Sequence, residues 1–217
     1  SMELDQHPVD SLKGIGPALA SKLAKIGVNS LQDVLFHLPF RYEDRTKITP
    51  IVAATAGKTI VIEGEIIACD VAFGRRRSLL AYLQDSTGRI ALRFFHFNKA
   101  QQASLKVGTS ITCFGEVRRG AAGFEIYHPE YSSSIGKALP DRLTPIYPTT
   151  EGISQQRYRN IVSQVLNHMK KGDLLAELLT DGNRAQGMGI NDALVFVHNP
   201  PPEADTEVLL EGIHPAQ

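Results

Sequence analysis

The apolar pattern changes period at Thr59, and this change constrains the fold more than any other feature of the 217 residues. Before it, apolar side chains recur every three or four residues, as on one face of a helix. After it come five short runs rich in β-branched, aromatic and aliphatic residues, at 59–67, 78–85, 89–95, 110–117 and 124–131. Side chains on a strand alternate between two faces, so these runs predict strands. Asp85-Ser86-Thr87-Gly88 predicts a tight turn between the second and third. Residues 98–106 are polar apart from Ala100, Ala103 and Leu105, and predict a short helix between the third and fourth.

Three strands, a helix and two more strands is the element order of a five-stranded oligonucleotide/oligosaccharide-binding (OB) barrel, although other all-β folds can mimic it. Helical patterns flank it. Over residues 9–23 the apolar positions surround Gly14-Ile15-Gly16, and Pro17 suits the first turn of a helix that stops at Gly27. Asn29 or Ser30 can cap a second helix over 31–37, ending before Pro39. Residues 40–50 are charged and irregular, and residues 132–148 form a connector rich in Pro, Ser and Gly. Ser154 then caps a helix over 154–171, with Ile161, Val165, Leu166 and Met169 apolar. Shorter helical candidates follow at 173–179 and 191–198, the latter stopped by Pro200-Pro201-Pro202. The expected class is α+β, with an N-terminal helical hairpin region (3–50), a central OB-fold barrel (51–135) and a C-terminal helical connector (136–217).

The formal net charge of zero conceals a segregation of charge. Residues 71–119 carry Arg75, Arg76, Arg77, Arg89, Arg93, Lys99, Lys106, Arg118 and Arg119 against only Asp85 and Glu116. Residues 172–217 carry Arg184 against eight acidic side chains. A local basic patch is the electrostatic footprint of a polyanion partner, and a solvated charged face is the alternative. No apolar run approaches the ~20 residues of a membrane span, so a cytoplasmic location is the default expectation. Cys69 and Cys113 are too few for a disulfide framework or a zinc site, and their apolar surroundings predict buried free thiols. Ser1-Met2 reads as the remnant of a cleaved tag.

In the third run, alternation puts Ile90, Leu92 and Phe94 on one face and Ala91, Arg93 and Phe95 on the other, with His96 and Phe97 beyond. The first set suits a barrel core. The second offers a cation and an aromatic ring, and stacking a base on such a ring is worth roughly 1–3 kcal/mol whatever the base. A packing role for Phe95 and Phe97 against a neighbouring element is the competing reading. Ligands of OB barrels lie between the loop joining strands 1 and 2 and the loop joining strands 4 and 5. Those loops are expected at 68–77 and 118–123, and they contain Arg75, Arg76, Arg77, Arg118 and Arg119. Each guanidinium can fork onto phosphate oxygens. The Gly14-Ile15-Gly16 segment is similar to a helix-hairpin-helix motif, with a structural hairpin as the alternative. Ala56-Gly57-Lys58-Thr59 imitates the end of a nucleotide-binding P-loop, but Val52 stands where that loop needs glycine and a strand follows instead of a helix. The seven histidines lack metal-ligand spacing, so catalysis and cofactors are not expected of the chain by itself.

Several segments together resemble the RecG family of ATP-dependent DNA helicases. They are Leu12-Lys13-Gly14-Ile15-Gly16-Pro17, His37-Leu38-Pro39-Phe40-Arg41-Tyr42-Glu43-Asp44-Arg45, Arg93-Phe94-Phe95-His96-Phe97, His128-Pro129-Glu130-Tyr131, and the run from Leu143 to Gly152. The stretch 193–202 and Gly212-Ile213-His214-Pro215-Ala216-Gln217 also fit, in the same order along the chain. The resemblance implies an OB-fold wedge that sits at the branch point of forks and Holliday junctions and splits strands while a motor pulls duplex. It aligns Phe95 with a base-stacking aromatic and makes Phe97 a second candidate. Arg93, Lys99 and the five loop arginines complete the expected DNA contacts. The resemblance also implies ATP and magnesium for the full helicase, motor domains as partners in the same chain, and an end at Gln217 imposed on a longer protein. An OB-fold interaction scaffold and a general single-stranded nucleic-acid binder remain as alternatives.

Overall fold

The computed structural model describes residues 4–171 and 190–213. In chain order it comprises α1 (Pro17–Lys25), α2 (Leu31–Phe36), β1 (Arg41–Glu43), β2 (Thr59–Ala72), β3 (Ser78–Gln84), β4 (Arg89–Phe94), α3 (Lys99–Ser104), β5 (Ser110–Gly120), β6 (Gly123–Tyr127) and β7 (Glu130–Ser133). These are followed by β8 (Thr144–Ile146), α4 (Gln155–Lys171), α5 (Ile190–Val197) and α6 (Thr206–Ile213). The class is α+β. Two compact units form, one from residues 45–140 and one from the described parts of 1–44 and 141–217. The expected division into three stretches thus gives way to two units, because the helical segments at both ends share one apolar core that includes Leu19, Leu23, Leu31, Val34, Tyr158 and Val165.

In the unit of residues 45–140, the strands run β2-β3-β4-β6-β5, and β5 pairs again with β2. The ring therefore closes and its five strands present no free edge to another chain. β4 and β6 pair in parallel, with Ala91 opposite Glu125 and Arg93 opposite Tyr127. The other pairings in the ring are antiparallel. Closure requires β2 to pass from one neighbour to the other: residues 59–65 pair with β5, and residues 65–72 pair with β3. Gly64 sits at this crossover, where a Cβ would collide with the Gln84 carbonyl. Inward-facing Ile62, Ile66, Leu79, Leu83, Leu92, Phe94, Ile111 and Ile126 are almost fully buried. Each contributes roughly 2 kcal/mol through lost apolar exposure. Cys113 lies in this core as a free thiol, and burial pushes its pKa up; Cys69, also a free thiol, is only half-buried.

Local chemistry fixes the connections. Asp85 Oδ1 accepts hydrogen bonds from the Thr87 hydroxyl and from the backbone N–H groups of Thr87 and Gly88, while Oδ2 accepts from Ile51 N–H. Burial works to raise the Asp85 pKa, but these hydrogen bonds hold it below the ordinary value. Asn98 caps α3 by accepting from Gln101 N–H at 2.8 Å.

In the other unit, Ser30 caps α2: its hydroxyl accepts from Asp33 N–H at 3.1 Å, while the Asp33 carboxylate accepts from Ser30 N–H at 3.0 Å. Ser154 accepts from Arg157 N–H at the start of α4. The Gly14-Ile15-Gly16 turn is held by Arg157, which donates to the Gly14 carbonyl, and the preceding residue by Gln164, which donates to the Lys13 carbonyl. Three elements have no counterpart in the periodicity. β1 and β8 pair antiparallel over three residues each, too short for an alternating pattern to register. α6 is signalled only by Asp205, whose carboxylate accepts from Val208 N–H. The expected helix at 173–179 lies outside the described residues. Among the described residues, no helix is long and apolar enough to cross a membrane.

Candidate nucleic-acid interface

Strand β4 is the backbone of the site. Its inward face carries Ile90, Leu92 and Phe94, as alternation requires, and Phe95 emerges just past its end. The Phe95 ring is half-buried, with the Tyr127 ring edge-on at 5.0 Å and the His128 ring tilted at 6.0 Å. The Arg76 guanidinium lies over it, 4.3 Å from the ring centre. Phe97 is also half-buried: it packs on the barrel core, and Arg77 lies over its ring at 4.6 Å. Arg118 covers Tyr127 at 4.3 Å, and Arg119 covers Phe124 at 5.1 Å. The result is a set of aromatic rings, each bearing a guanidinium, on one barrel. Each such contact is worth about 0.5–1 kcal/mol where solvent reaches it.

Two of the expected loops are shorter than their sequence suggests. β2 continues to Ala72, so the first loop is reduced to residues 73–77 with Arg75, Arg76 and Arg77 exposed. β5 continues to Gly120 and turns through residues 121–122 into β6, so Arg118 and Arg119 lie on a strand, opposite Glu125 and Phe124. Both strands outlast their apolar runs because neighbouring strands still supply backbone partners there. Their arginines are nevertheless exposed, and none of the five forms an ion pair among the described residues.

Arg93, expected among the DNA contacts, is engaged inside the barrel wall. It does not face solvent beside Phe95: its Nε donates to Glu125 Oε1 at 2.5 Å and its Nη1 to the Ser78 hydroxyl at 2.8 Å. The Arg93 side chain is 13% exposed and that of Glu125 is 0% exposed. The parallel β4–β6 pairing sets Glu125 beside Ala91, within reach of the Arg93 side chain on the same face, and Ala91 is buried there. Gly120 makes room for this pair, since a Cβ there would overlap the Glu125 carboxylate. Arg93 is therefore a structural cation. Lys99 is exposed at the first residue of α3.

The periodicity did not single out Tyr127, Phe124 or His128. His128 adopts a left-handed backbone conformation, φ 46°, which is uncommon outside glycine. That turn lets its Nε2 accept the Phe95 N–H at 3.1 Å while its own N–H donates to the Arg93 carbonyl at 2.9 Å. His96 stacks on His128 at 5.9 Å, and its Nε2 accepts from Arg76 at 3.1 Å. Both imidazoles thus accept through Nε2. Burial lowers the pKa of His128, and the nearby His96 and Arg76 lower it further. The local signal for this residue was the His128-Pro129 step inside an otherwise continuous strand pattern. Among the described residues, no cluster of His, Cys, Asp and Glu could hold a metal ion.

With this geometry in place, the chain can be compared with known proteins. The family model of the RecG wedge domain matches residues 8–169. The ATP-dependent DNA helicase RecG of Haemophilus influenzae is 46% identical over 217 residues, covering 99% of this chain and 31% of its own length. The RecG helicase of Escherichia coli strain K12 is 40% identical, again over 99% of this chain and 31% of its own. The chain thus spans about a third of the length of these curated relatives. A solved structure of RecG bound to a three-way DNA junction superimposes with a TM-score of 0.69 at 25% identity, covering 98% of this chain and 29% of that one. The family match extends over both compact units and includes all four arginine-capped rings, and on that basis the chain belongs to the RecG wedge domain family.

Proposed function

We propose that this chain is the DNA-gripping wedge of an ATP-dependent DNA helicase that remodels stalled forks and recombination junctions. The observation that carries this reading is the pairing of exposed arginines with half-buried rings: Arg76 with Phe95, Arg77 with Phe97, Arg118 with Tyr127 and Arg119 with Phe124. Base stacking needs an aromatic face, and strand grip needs cations on the adjoining phosphates. The barrel supplies both, from β5 and β6 and from the loop and strand end beside β4. In the proposed mechanism, Arg75, Arg76, Arg77, Arg118 and Arg119 hold the backbone, with Lys99 as an outlying contact. Phe95 stacks on the last base at the branch, supported from behind by His128 and Tyr127, and Phe97 flanks it. Duplex drawn past this point cannot keep its strands paired.

The relatives that carry the name ATP-dependent helicase are about three times longer, so we assign ATP, magnesium and motor action to sequence outside this chain. The Lys58-Thr59 segment leads into β2 rather than a helix, which supports that division of labour. We place the protein in the cytoplasm with its DNA substrate. Titrating a labelled fork and a linear duplex of equal length across a range of salt tests the reading. Tighter binding to the fork, weakening steeply with salt, is expected; equal and salt-insensitive binding would refute it.

A further inference from the structure

Phe73 stands apart from the capped rings. It opens the loop of residues 73–77 and is 83% exposed, the most exposed large hydrophobic side chain described. Among the described residues, no ring and no guanidinium lies against it, unlike Phe95, Phe97, Phe124 and Tyr127. The strands on either side set its position. Ala72 pairs with Ser78 and Leu79 pairs with Phe94, so the loop hangs from the end of the sheet where Phe95 leaves β4. Arg76 and Arg77, in the same loop, reach back onto Phe95 and Phe97, which ties the loop to that row of rings. A side chain at Gly74 would meet nothing within 4 Å, so open space surrounds the loop next to the ring.

A single exposed ring is ordinary by itself, and it is the place of this one at the root of the arginine loop that sets it apart. Three successive guanidinia beside it select the partner. An apolar protein surface would have to desolvate them, whereas a nucleotide presents a flat π-face with phosphates alongside for the arginines. We infer that Phe73 is a second stacking tip, which takes an unpaired DNA base from a strand leaving the branch point. This inference rests on the wedge reading above and extends it. Phe95 and Phe97 must exchange a guanidinium for a base before stacking on that face, but Phe73 is bare and can engage first.

The test compares forks whose unpaired nucleotides next to the branch are either thymidines or abasic sites. These are titrated with the unaltered chain, Phe73→Ala, Phe73→Trp and Phe95→Ala. Phe73 is exposed, so its substitutions leave the fold intact, and an unchanged thermal midpoint checks this. Phe73→Ala is expected to weaken binding to the thymidine fork by about tenfold, within the range set by one stacked base. The abasic fork should bind the unaltered chain with a similar loss, and Phe73→Ala should lose nothing further on it. Phe73→Trp should bind the thymidine fork at least as tightly as the unaltered chain. Equal affinity of Phe73→Ala and the unaltered chain for the thymidine fork, with Phe95→Ala still impaired, overturns this inference alone. A loss that persists undiminished on the abasic fork also overturns it. If the unaltered chain fails to prefer a fork over linear duplex, the wedge reading falls with it.

Discussion

Two clusters of aromatic and histidine side chains, one in each compact unit, use the same chemistry to opposite ends. In the helical unit, Tyr147 and Tyr158 are fully buried with ring centres 4.7 Å apart. The Tyr158 hydroxyl donates to the Val34 carbonyl, and the Tyr147 hydroxyl donates to His198 Nδ1 at 2.6 Å. His198 Nε2–H in turn donates to the Leu35 carbonyl at 2.6 Å, which fixes a neutral tautomer. Burial pushes both tyrosine pKa values up and brings His198 down to about 4. In the barrel, Phe95, Tyr127, His96 and His128 meet at similar distances but at the surface, and arginines take the place of backbone carbonyls as partners. Buried polar atoms have to be satisfied from inside, and this locks the first cluster. The second cluster is capped by exposed guanidinium groups instead, which solvent reaches.

The contrast is broken most severely by removing buried parts. Tyr158→Ala should destabilise the helical unit by roughly 3–5 kcal/mol through the cavity it leaves. Glu125→Ala should cost the barrel a similar amount, roughly 3–5 kcal/mol, by stranding the Arg93 charge. Urea denaturation followed by circular dichroism measures both, and a change below 1 kcal/mol, a small fraction of that range, would refute the structural assignment.

Acid comes next. His198 titrates near its ordinary value of about 6.5 when unfolded but only at about 4 when folded, so between these values the unfolded chain binds a proton that the folded chain refuses. Stability from this group is complete above the unfolded pKa and falls as the pH drops towards 4, by about 3 kcal/mol in all. A series of denaturation midpoints from neutral to acid pH should show the decline, and His198→Gln should flatten it.

Surface changes should do the reverse, leaving stability alone and altering binding. Phe95→Ala is expected to weaken fork binding by roughly 1–3 kcal/mol while linear duplex binding barely changes, as fluorescence anisotropy would report. The smallest expected effect is the sharpest diagnostic. Arg75→Gln and Arg118→Gln should each reduce the slope of log affinity against log salt by about one, on forks and duplexes alike. An unaltered slope would remove these arginines from the phosphate contacts.

Much of the barrel was legible because alternation is local. Ile90, Leu92 and Phe94 point inward as their spacing demands, and Asp85, Asn98 and Ser30 make the turn and caps that their side chains favour. The positions of Arg75, Arg76 and Arg77 in the first loop were legible for the same reason. The pairing of Arg93 with Glu125 is not legible, because alternation separates the faces of a strand without saying what lies beside each face. Arg118 and Arg119 were assigned to a loop because their run is polar, yet backbone pairing with β6 keeps them extended. Tyr127 and His128 were missed for a related reason, since they reach Phe95 from a strand that lies more than thirty residues further along the chain.

The order of elements, the inward faces of the strands and the concentration of cations around residues 71–119 follow from the amino-acid sequence alone, since each depends on neighbours a few residues away. The tertiary structure decided the rest. Closing the ring between β2 and β5 and laying β6 parallel to β4 bring Glu125 onto Arg93, Tyr127 onto Phe95 and Arg118 onto Tyr127. A hydrogen-bonded ladder between distant segments leaves no mark in either one of which partner it takes. Which arginine becomes an internal counter-ion and which remains exposed is therefore settled only when the strands find their partners.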